Sequence, residues 1–167
     1  AYCIIPFVRG RCRSQDTHSL KREITNLVNN GYKEIVLTGI HTGNYGADLG
    51  IKFSDLLEEI LDIVGLKRLR ISSIEITELD EKFFELLKNP VLCNHLHIPL
   101  QSGSDNILKL MNRKYTKEEF KKIIDKIRFI RPDISITTDV IVGFPMETEC
   151  DFEECLDFVK EIGFSKV

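Results

Sequence analysis

Four short polar segments that could bind a small molecule follow apolar runs of the chain: residues 38–42, 72–75, 98–105 and 142–147. Each is polar or rich in glycine, and together they offer hydroxyl, amide and imidazole groups. Glycines allow a ligand to approach the backbone closely, and the polar groups supply donors and acceptors. Such segments suit a polar, extended ligand such as a nucleoside. None contains a GxxxxGK[ST] or GxGxxG phosphate-binding pattern.

Each segment also has an ordinary structural explanation. Gly39, Gly103 and Gly143 are also what a tight turn requires, and Ser104 and Thr148 are typical helix caps. The recurrence of this pattern after four successive apolar runs favours a binding site over four unrelated turns.

Acid–base catalysis is the competing interpretation. Glu75, Asp139 and Glu147 lie in or near these segments and could act as a general acid and base, with His41 as a further candidate. Nothing in the sequence places a nucleophile beside a base, which weakens this hypothesis. His95 and His97 alternate along one strand, where they could bind a metal or make core hydrogen bonds.

The five cysteines, at positions 3, 12, 93, 150 and 155, form no disulfide framework, because their number is odd and their spacing irregular. Only Cys3 has neighbours that suggest chemistry. It lies in a segment, residues 2–13, that also holds Pro6 and three alternating arginines, Arg9, Arg11 and Arg13. We expect this segment to be a loop.

Helical and strand patterns alternate along the rest of the chain. Strands are predicted at residues 34–38, 68–74, 92–98 and 134–142, with a further strand beginning at 164–167, and Ser19, Thr116 and Thr148 are predicted N-caps of intervening helices. This alternation predicts an α/β fold with parallel strands, as an open doubly wound sheet or a barrel. In both folds the ligand site lies at the carboxyl ends of the strands.

Length and composition predict one domain, residues 1–167, of which 43% are hydrophobic. A net charge of −3 gives no overall basic field to bind nucleic acid. No apolar run is long enough to span a membrane and no signal-like segment is recognisable, so we expect a cytoplasmic protein.

Six segments resemble the radical S-adenosylmethionine methylthiotransferases: residues 2–10, 34–46, 71–75, 95–105, 111–116 and 139–145. The resemblance runs essentially from end to end. Residues 37–42, Leu-Thr-Gly-Ile-His-Thr, are most similar to the members that methylthiolate N6-threonylcarbamoyladenosine at position 37 of tRNA.

The resemblance implies a partial (βα)6 TIM-like barrel, here lacking the first strand and most of the last. It also implies a [4Fe-4S] cluster on a C-x3-C-x2-C loop, in which Cys3 is the last cysteine and Tyr2 the preceding aromatic residue. The first two cysteines would precede residue 1, and one thiolate does not hold such a cluster. We therefore expect this chain alone not to hold the cluster and to be inactive.

The resemblance further implies a set of S-adenosylmethionine-binding positions and no catalytic side chain, because the cluster and the sulfonium perform the chemistry. Gly39, His41 and Thr42 would face the methionine moiety, Gln101 and Ser102 the ribose, and Val142, Gly143 and Phe144 the adenine. Tyr2 and Glu75 complete the expected site, with Cys3 as metal ligand. Met146 stands where the family usually has glycine.

Members of this family act on tRNA with an electron donor protein, and they carry a second cluster in an amino-terminal domain and a carboxyl-terminal RNA-binding domain. Both domains are expected to lie outside this chain. Arg9, Arg11 and Arg13 could contact RNA phosphates or remain solvated. The alternatives are a sibling enzyme acting on isopentenyladenosine of tRNA or on a ribosomal protein, and a cluster-independent hydrolase or isomerase using Glu75, Asp139 and Glu147. Open strand edges also make self-association a hypothesis.

Overall fold

The computed structural model describes residues 2–167. The chain opens with a short helix. Helices and strands then alternate, and this alternation is as the sequence predicts. In chain order the elements are α1 (Ile5–Arg9), α2 (Thr17–Asn29), β1 (Glu34–Leu37), α3 (Phe53–Leu61), β2 (Arg68–Ile71), α4 (Glu81–Leu86), β3 (His95–His97), α5 (Asp105–Leu110), α6 (Lys117–Ile130), β4 (Ser135–Thr137) and α7 (Glu149–Ile162), with short 3-10 helices at Thr42–Asn44 and Ile76–Glu78.

The strands lie side by side in chain order and all run parallel. β1 pairs with β2 and β3 with β4, and the bridges Leu69–Leu92 and Ser73–His97 join the two pairs. A further parallel bridge, Thr137–Lys166, places the last residues beside β4, as predicted. An order without reversal is typical of a βα barrel, whereas a doubly wound sheet reverses at its switch point. The structure thus decides between the two alternatives in favour of the partial barrel.

Alternate strand residues face the helices and form the core. Ile35, Leu37, Leu69, Leu96 and Ile136 are all buried in one cluster with apolar residues of the helices. The residues between them point to the opposite face, where polar groups dominate. That inner face carries Glu34, Arg68, Arg70, His95, His97, Ser135 and Thr137, all half-buried or exposed.

The predicted caps of the later helices are confirmed, and that of α2 is wrong. Thr116 and Thr148 each accept a hydrogen bond from the backbone amide three residues on, within a reciprocal capping box. Helix α2 is instead capped by Asp16, whose carboxylate accepts from the Ser19 amide at 2.9 Å. Aspartate is an equally strong cap, and here it lies one turn earlier.

Two further expectations are corrected. The opening segment is not entirely a loop, because Ile5–Arg9 forms α1. The strands are also shorter than predicted: β4 covers Ser135–Thr137 instead of residues 134–142. The polar residues beyond each strand leave regular pairing and form the loops of the candidate site.

Candidate active site at the carboxyl ends of the strands

The loop after β1 joins the tips of two strands. Thr42 is buried, and its Oγ1 lies 3.1 Å from Oγ of Ser72 at the end of β2. His41 is exposed, with Nδ1 3.8 Å from Oε1 of Glu78. Gly39 precedes them, and a Cβ built there would meet the Thr42 hydroxyl at an ordinary 3.6 Å. The three predicted methionine-side residues therefore share one loop beside β2.

Glu78 is a site residue that the sequence analysis missed. It ends the 3-10 helix Ile76–Glu78, and its Oε2 accepts a hydrogen bond from the Glu75 amide at 3.0 Å. Burial raises the pKa of its carboxyl group, since little water reaches the ionised form. The spacing of Glu75 and Glu78 is a capping-box signal that could have located this carboxylate.

Tyr2 connects the opening segment to the tips of several strands. Its hydroxyl donates to Oε1 of Gln101, beyond β3, at 2.8 Å. Its ring meets the ring of Phe144 edge to face, with centroids 5.9 Å apart. Its hydroxyl oxygen also accepts a hydrogen bond from Nη2 of Arg113. Three residues distant in sequence thus hold this one side chain.

Arg113 is the second functional candidate that the sequence analysis did not single out. Its Nη1 donates to Oε1 of Glu75 at 2.6 Å, and only 17% of its side chain is exposed. The end of α5 sets its position. The Arg113 amide bonds to the Leu108 carbonyl and the Asn112 amide to Lys109, while Asn112 has a φ of 61°. This is a Schellman motif with asparagine in the left-handed position.

The two predicted ribose-side residues differ in accessibility. Gln101 has a φ of 68° and reaches Tyr2 from a backbone bridged to Val140. Ser102 is fully buried, and its hydroxyl accepts a hydrogen bond from the Ser104 amide at 3.2 Å. The Gln101 side chain therefore lies at the surface of the site. The Ser102 side chain does not reach that surface and instead stabilises the loop.

The loop after β4 presents an apolar edge supported by a carboxylate. Val142 is exposed, Phe144 is half-buried, and Gly143 has a φ of 73°. The amides of Gly143 and Phe144 both donate to Oε2 of Glu147. Glu147 therefore organises the loop that carries the three predicted adenine-side residues.

A cavity of about 900 Å³ lies between the opening segment, α2 and the end of β1. Gly39, His41 and Thr42 are among its lining residues. Arg9, Arg11 and Arg13 line the same cavity, so the alternating arginines lie close to the predicted methionine side. A cavity of this size lies within the range of small-molecule sites.

The three carboxylates of the acid–base alternative each have a partner. Glu75 is paired with Arg113, Glu147 accepts the two loop amides, and Asp139 lies 3.2 Å from Nε2 of His97. His95 and His97 both lie within hydrogen-bonding distance of the Thr137 hydroxyl. This arrangement fits the core hydrogen-bonding interpretation of the two histidines.

The thiolate supply does not fit a complete cluster. Cys3 is exposed, and among residues 2–167 no group of three or more histidine, cysteine or acidic side chains is placed to hold a metal ion. A [4Fe-4S] cluster needs more than one thiolate. The strand tips do fit S-adenosylmethionine, because Thr42, Ser72, Gln101 and Phe144 offer hydroxyl, amide and aromatic groups along one edge.

Comparison with known proteins identifies the family. The model of the radical SAM superfamily matches residues 1–159. A parallel partial barrel with a polar site at its carboxyl edge agrees with that match, and the chain belongs to the radical SAM superfamily. Membership implies a [4Fe-4S] cluster and S-adenosylmethionine as cofactors.

Several curated relatives are tRNA methylthiotransferases. The chain is 47% identical over 168 residues to the threonylcarbamoyladenosine tRNA methylthiotransferase MtaB of Thermotoga maritima, and 48% identical over 169 residues to that of Bacillus subtilis. It is 45% identical over 166 residues to the tRNA-2-methylthio-N(6)-dimethylallyladenosine synthase of Clostridium tetani. These matches cover 98–99% of this chain but only 39%, 38% and 37% of the respective relatives.

Solved structures agree on the fold. Coproporphyrinogen III oxidase from Escherichia coli, a radical SAM enzyme, superposes with a TM-score of 0.66 at 16% identity, covering 92% of this chain and 37% of that one. The cobalamin-dependent S-adenosylmethionine radical enzyme OxsB gives a TM-score of 0.64 at 11% identity, over 86% of this chain and 22% of that one. Among residues 2–167 no helix is both long and apolar enough to cross a membrane.

Proposed function

We propose that this chain is the S-adenosylmethionine-binding core of a tRNA methylthiotransferase that acts on N6-threonylcarbamoyladenosine at position 37. The observations that carry the proposal are the 47–48% identity to two MtaB enzymes over 99% of the chain and residues 37–42, which are most similar to the threonylcarbamoyladenosine enzymes. The polar strand tips support it, because they provide a site of the required chemistry. Residues 1–167 form one domain of the enzyme.

Each loop binds a different part of the cofactor. Gly39, His41 and Thr42 face the methionine moiety, and Gln101 orients the ribose. Residues 142–144 form the adenine wall, where the Phe144 ring excludes water. Tyr2, Glu75 and Ser102 hold these loops in place, and Cys3 is one metal ligand. Bound S-adenosylmethionine supplies the radical chemistry for which the family is named.

The partners follow from the same proposal. The substrate is tRNA, reduction comes from an electron donor protein, and the enzyme works in the cytoplasm. Arg9, Arg11 and Arg13 line the cavity and give it local positive charge in a chain of net charge −3. The outer edge of β1 is the surface through which the isolated chain would self-associate.

A chimeric enzyme tests the substrate assignment. Residues 1–167 replace the matching segment of the Bacillus subtilis enzyme, and the chimera is expressed in a strain lacking that enzyme. Mass spectrometry of tRNA nucleosides should then show restored 2-methylthio-N6-threonylcarbamoyladenosine. The same chimera carrying Cys3→Ala should show none, and it serves as the matched control.

Two outcomes would contradict the proposal. Methylthiolation of dimethylallyladenosine alone would transfer the assignment to the sibling enzymes, to which the chain is 44–47% identical. A folded chimera that modifies neither nucleoside would remove the assignment to tRNA methylthiolation.

A further inference from the structure

Arg113 holds two parts of the site at once. Its guanidinium donates through Nη1 to Glu75 at 2.6 Å and through Nη2 to the Tyr2 hydroxyl. The guanidinium carbon also lies 5.7 Å from the centre of the Tyr2 ring. A planar fork can make both bonds together, whereas an ammonium group on a flexible stem cannot reproduce that geometry.

The link is long-range, and its Glu75–Arg113 half is largely shielded from water, whereas Tyr2 is 42% exposed. Tyr2 and Arg113 are separated by 111 positions in sequence, and Glu75 and Arg113 by 38. The exposed fraction of the side chain is 17% for Arg113 and 29% for Glu75. Because water competes weakly at Glu75 and Arg113, their ion pair contributes more than a surface ion pair.

Tyr2 connects Arg113 to the ligand-facing loops. Its hydroxyl donates to Gln101 at 2.8 Å and its ring packs against Phe144. Fixing the Tyr2 ring therefore fixes one wall of the strand-tip site and the orientation of the amide beside it. Cys3 follows Tyr2 directly, so the same link restricts the backbone at Cys3.

We infer that Arg113 is a positioning residue that locks Tyr2, and with it the opening segment, across the strand tips to complete the nucleoside side of the site. The inference rests on the proposed function for the identity of the ligand. The lock, meaning the contacts of Arg113 with Glu75 and Tyr2, is independent of any cofactor, since the protein makes every contact in it.

Hydrogen exchange measures the lock directly. The amides of Phe7 and Val8 bond to the Ile4 carbonyl in the opening segment, whereas the Ile98 amide bonds to Thr137 in the core. Arg113→Lys and Tyr2→Phe each remove a link and should raise exchange at Phe7 and Val8 by about tenfold. Exchange at Ile98 should not change. Lys114→Ala, a change at the next residue, should leave all three amides unaffected.

The double variant Tyr2→Phe/Arg113→Lys sharpens the test. If the two residues form one link, it should exchange no faster than either single variant. Unchanged exchange at Phe7 and Val8 in both single variants would overturn the inference. A uniform increase that includes Ile98 would also overturn it, because that pattern indicates a general loss of stability.

Titration with S-adenosylmethionine, followed by NMR, then tests whether the lock contributes to binding of the ligand. Both single variants should bind about tenfold more weakly than the unmodified chain. Equal affinities would overturn the assignment of the lock to the nucleoside side. Absence of binding by the unmodified chain would contradict the proposed function, and the exchange pattern alone would then decide whether the lock exists.

Discussion

Glu78 occupies the space into which a side chain at Gly43 would project. A Cβ built at Gly43 would overlap Oε2 of Glu78 and lie 2.5 Å from its Cβ. The carboxylate is therefore packed between the loop after β1 and the loop after β2, with His41 beside it. The shape of the predicted methionine side depends on this packing.

Gly43→Ala should lower the free energy of unfolding by about 1–3 kcal/mol, because the added methyl group overlaps Glu78. Urea denaturation measures the change. Gly39→Ala is the matched control in the same loop, since its Cβ would meet Thr42 at 3.6 Å, and it should change stability by less than about 0.5 kcal/mol. Equal effects of the two substitutions on the free energy of unfolding would contradict the packing of Glu78 against Gly43.

Glu78 should also give stability a distinct pH dependence. Burial raises the pKa of its carboxyl group in the folded state. Its contribution is therefore complete below the pKa of the unfolded chain and is lost as pH rises through the folded pKa. Urea titrations of the unmodified chain between pH 4 and 7, relative to Glu78→Gln, should show this loss. Glu85→Gln, at an exposed position, should show a flat difference.

Asp151 should give stability the opposite pH dependence. Hydrogen bonds from the hydroxyls of Thr148 and Ser104 hold the pKa of its carboxyl group well below the usual range. Its stabilisation is present above the unfolded pKa and is lost as pH falls towards the folded one. Asp151→Asn should therefore be destabilised at neutral pH, with a difference that narrows in acid. Asp157→Asn, exposed on the same helix, should behave like the unmodified chain.

Met146 should be replaceable by glycine with a gain in stability. Its φ is 72°, in the left-handed region that disfavours side chains, and it is exposed. Met146→Gly should raise the free energy of unfolding by up to about 1 kcal/mol, as measured in urea. Gly143, in the same loop, has a φ of 73°, so Gly143→Ala should lower stability by a similar amount. A loss of stability in Met146→Gly would contradict the strain at this position.

The sequence predicts elements whose signals are local. Thr116 and Thr148 cap helices because the partner glutamate or aspartate lies three residues away. Gly163 ends α7 with a φ of 63°, as its position after an apolar helix indicates. Met146 also stands in the left-handed conformation that glycine at this position would favour.

The parts that could not be predicted depend on contacts distant in sequence. Arg113 looks like an ordinary charged residue after a helix, and only the folded chain brings it to Glu75, 38 positions away. Ser102 resembles its neighbour Gln101 in sequence, yet one is fully buried and the other reaches Tyr2. The length of each strand is set by where its neighbour stops pairing, which no local pattern encodes.

Methyl NMR during titration with S-adenosylmethionine locates the cofactor site, because exposed methyl groups lie both at the strand tips and far from them. Ile40, Val142 and Met146 follow β1 and β4, whereas Val64 lies beyond α3 at the opposite ends of the strands. Saturable chemical-shift changes are expected at Ile40, Val142 and Met146, with Val64 unchanged. Shifts confined to Val64 and its neighbours, or none at any of these methyl groups, would contradict a cofactor site at the carboxyl ends of the strands.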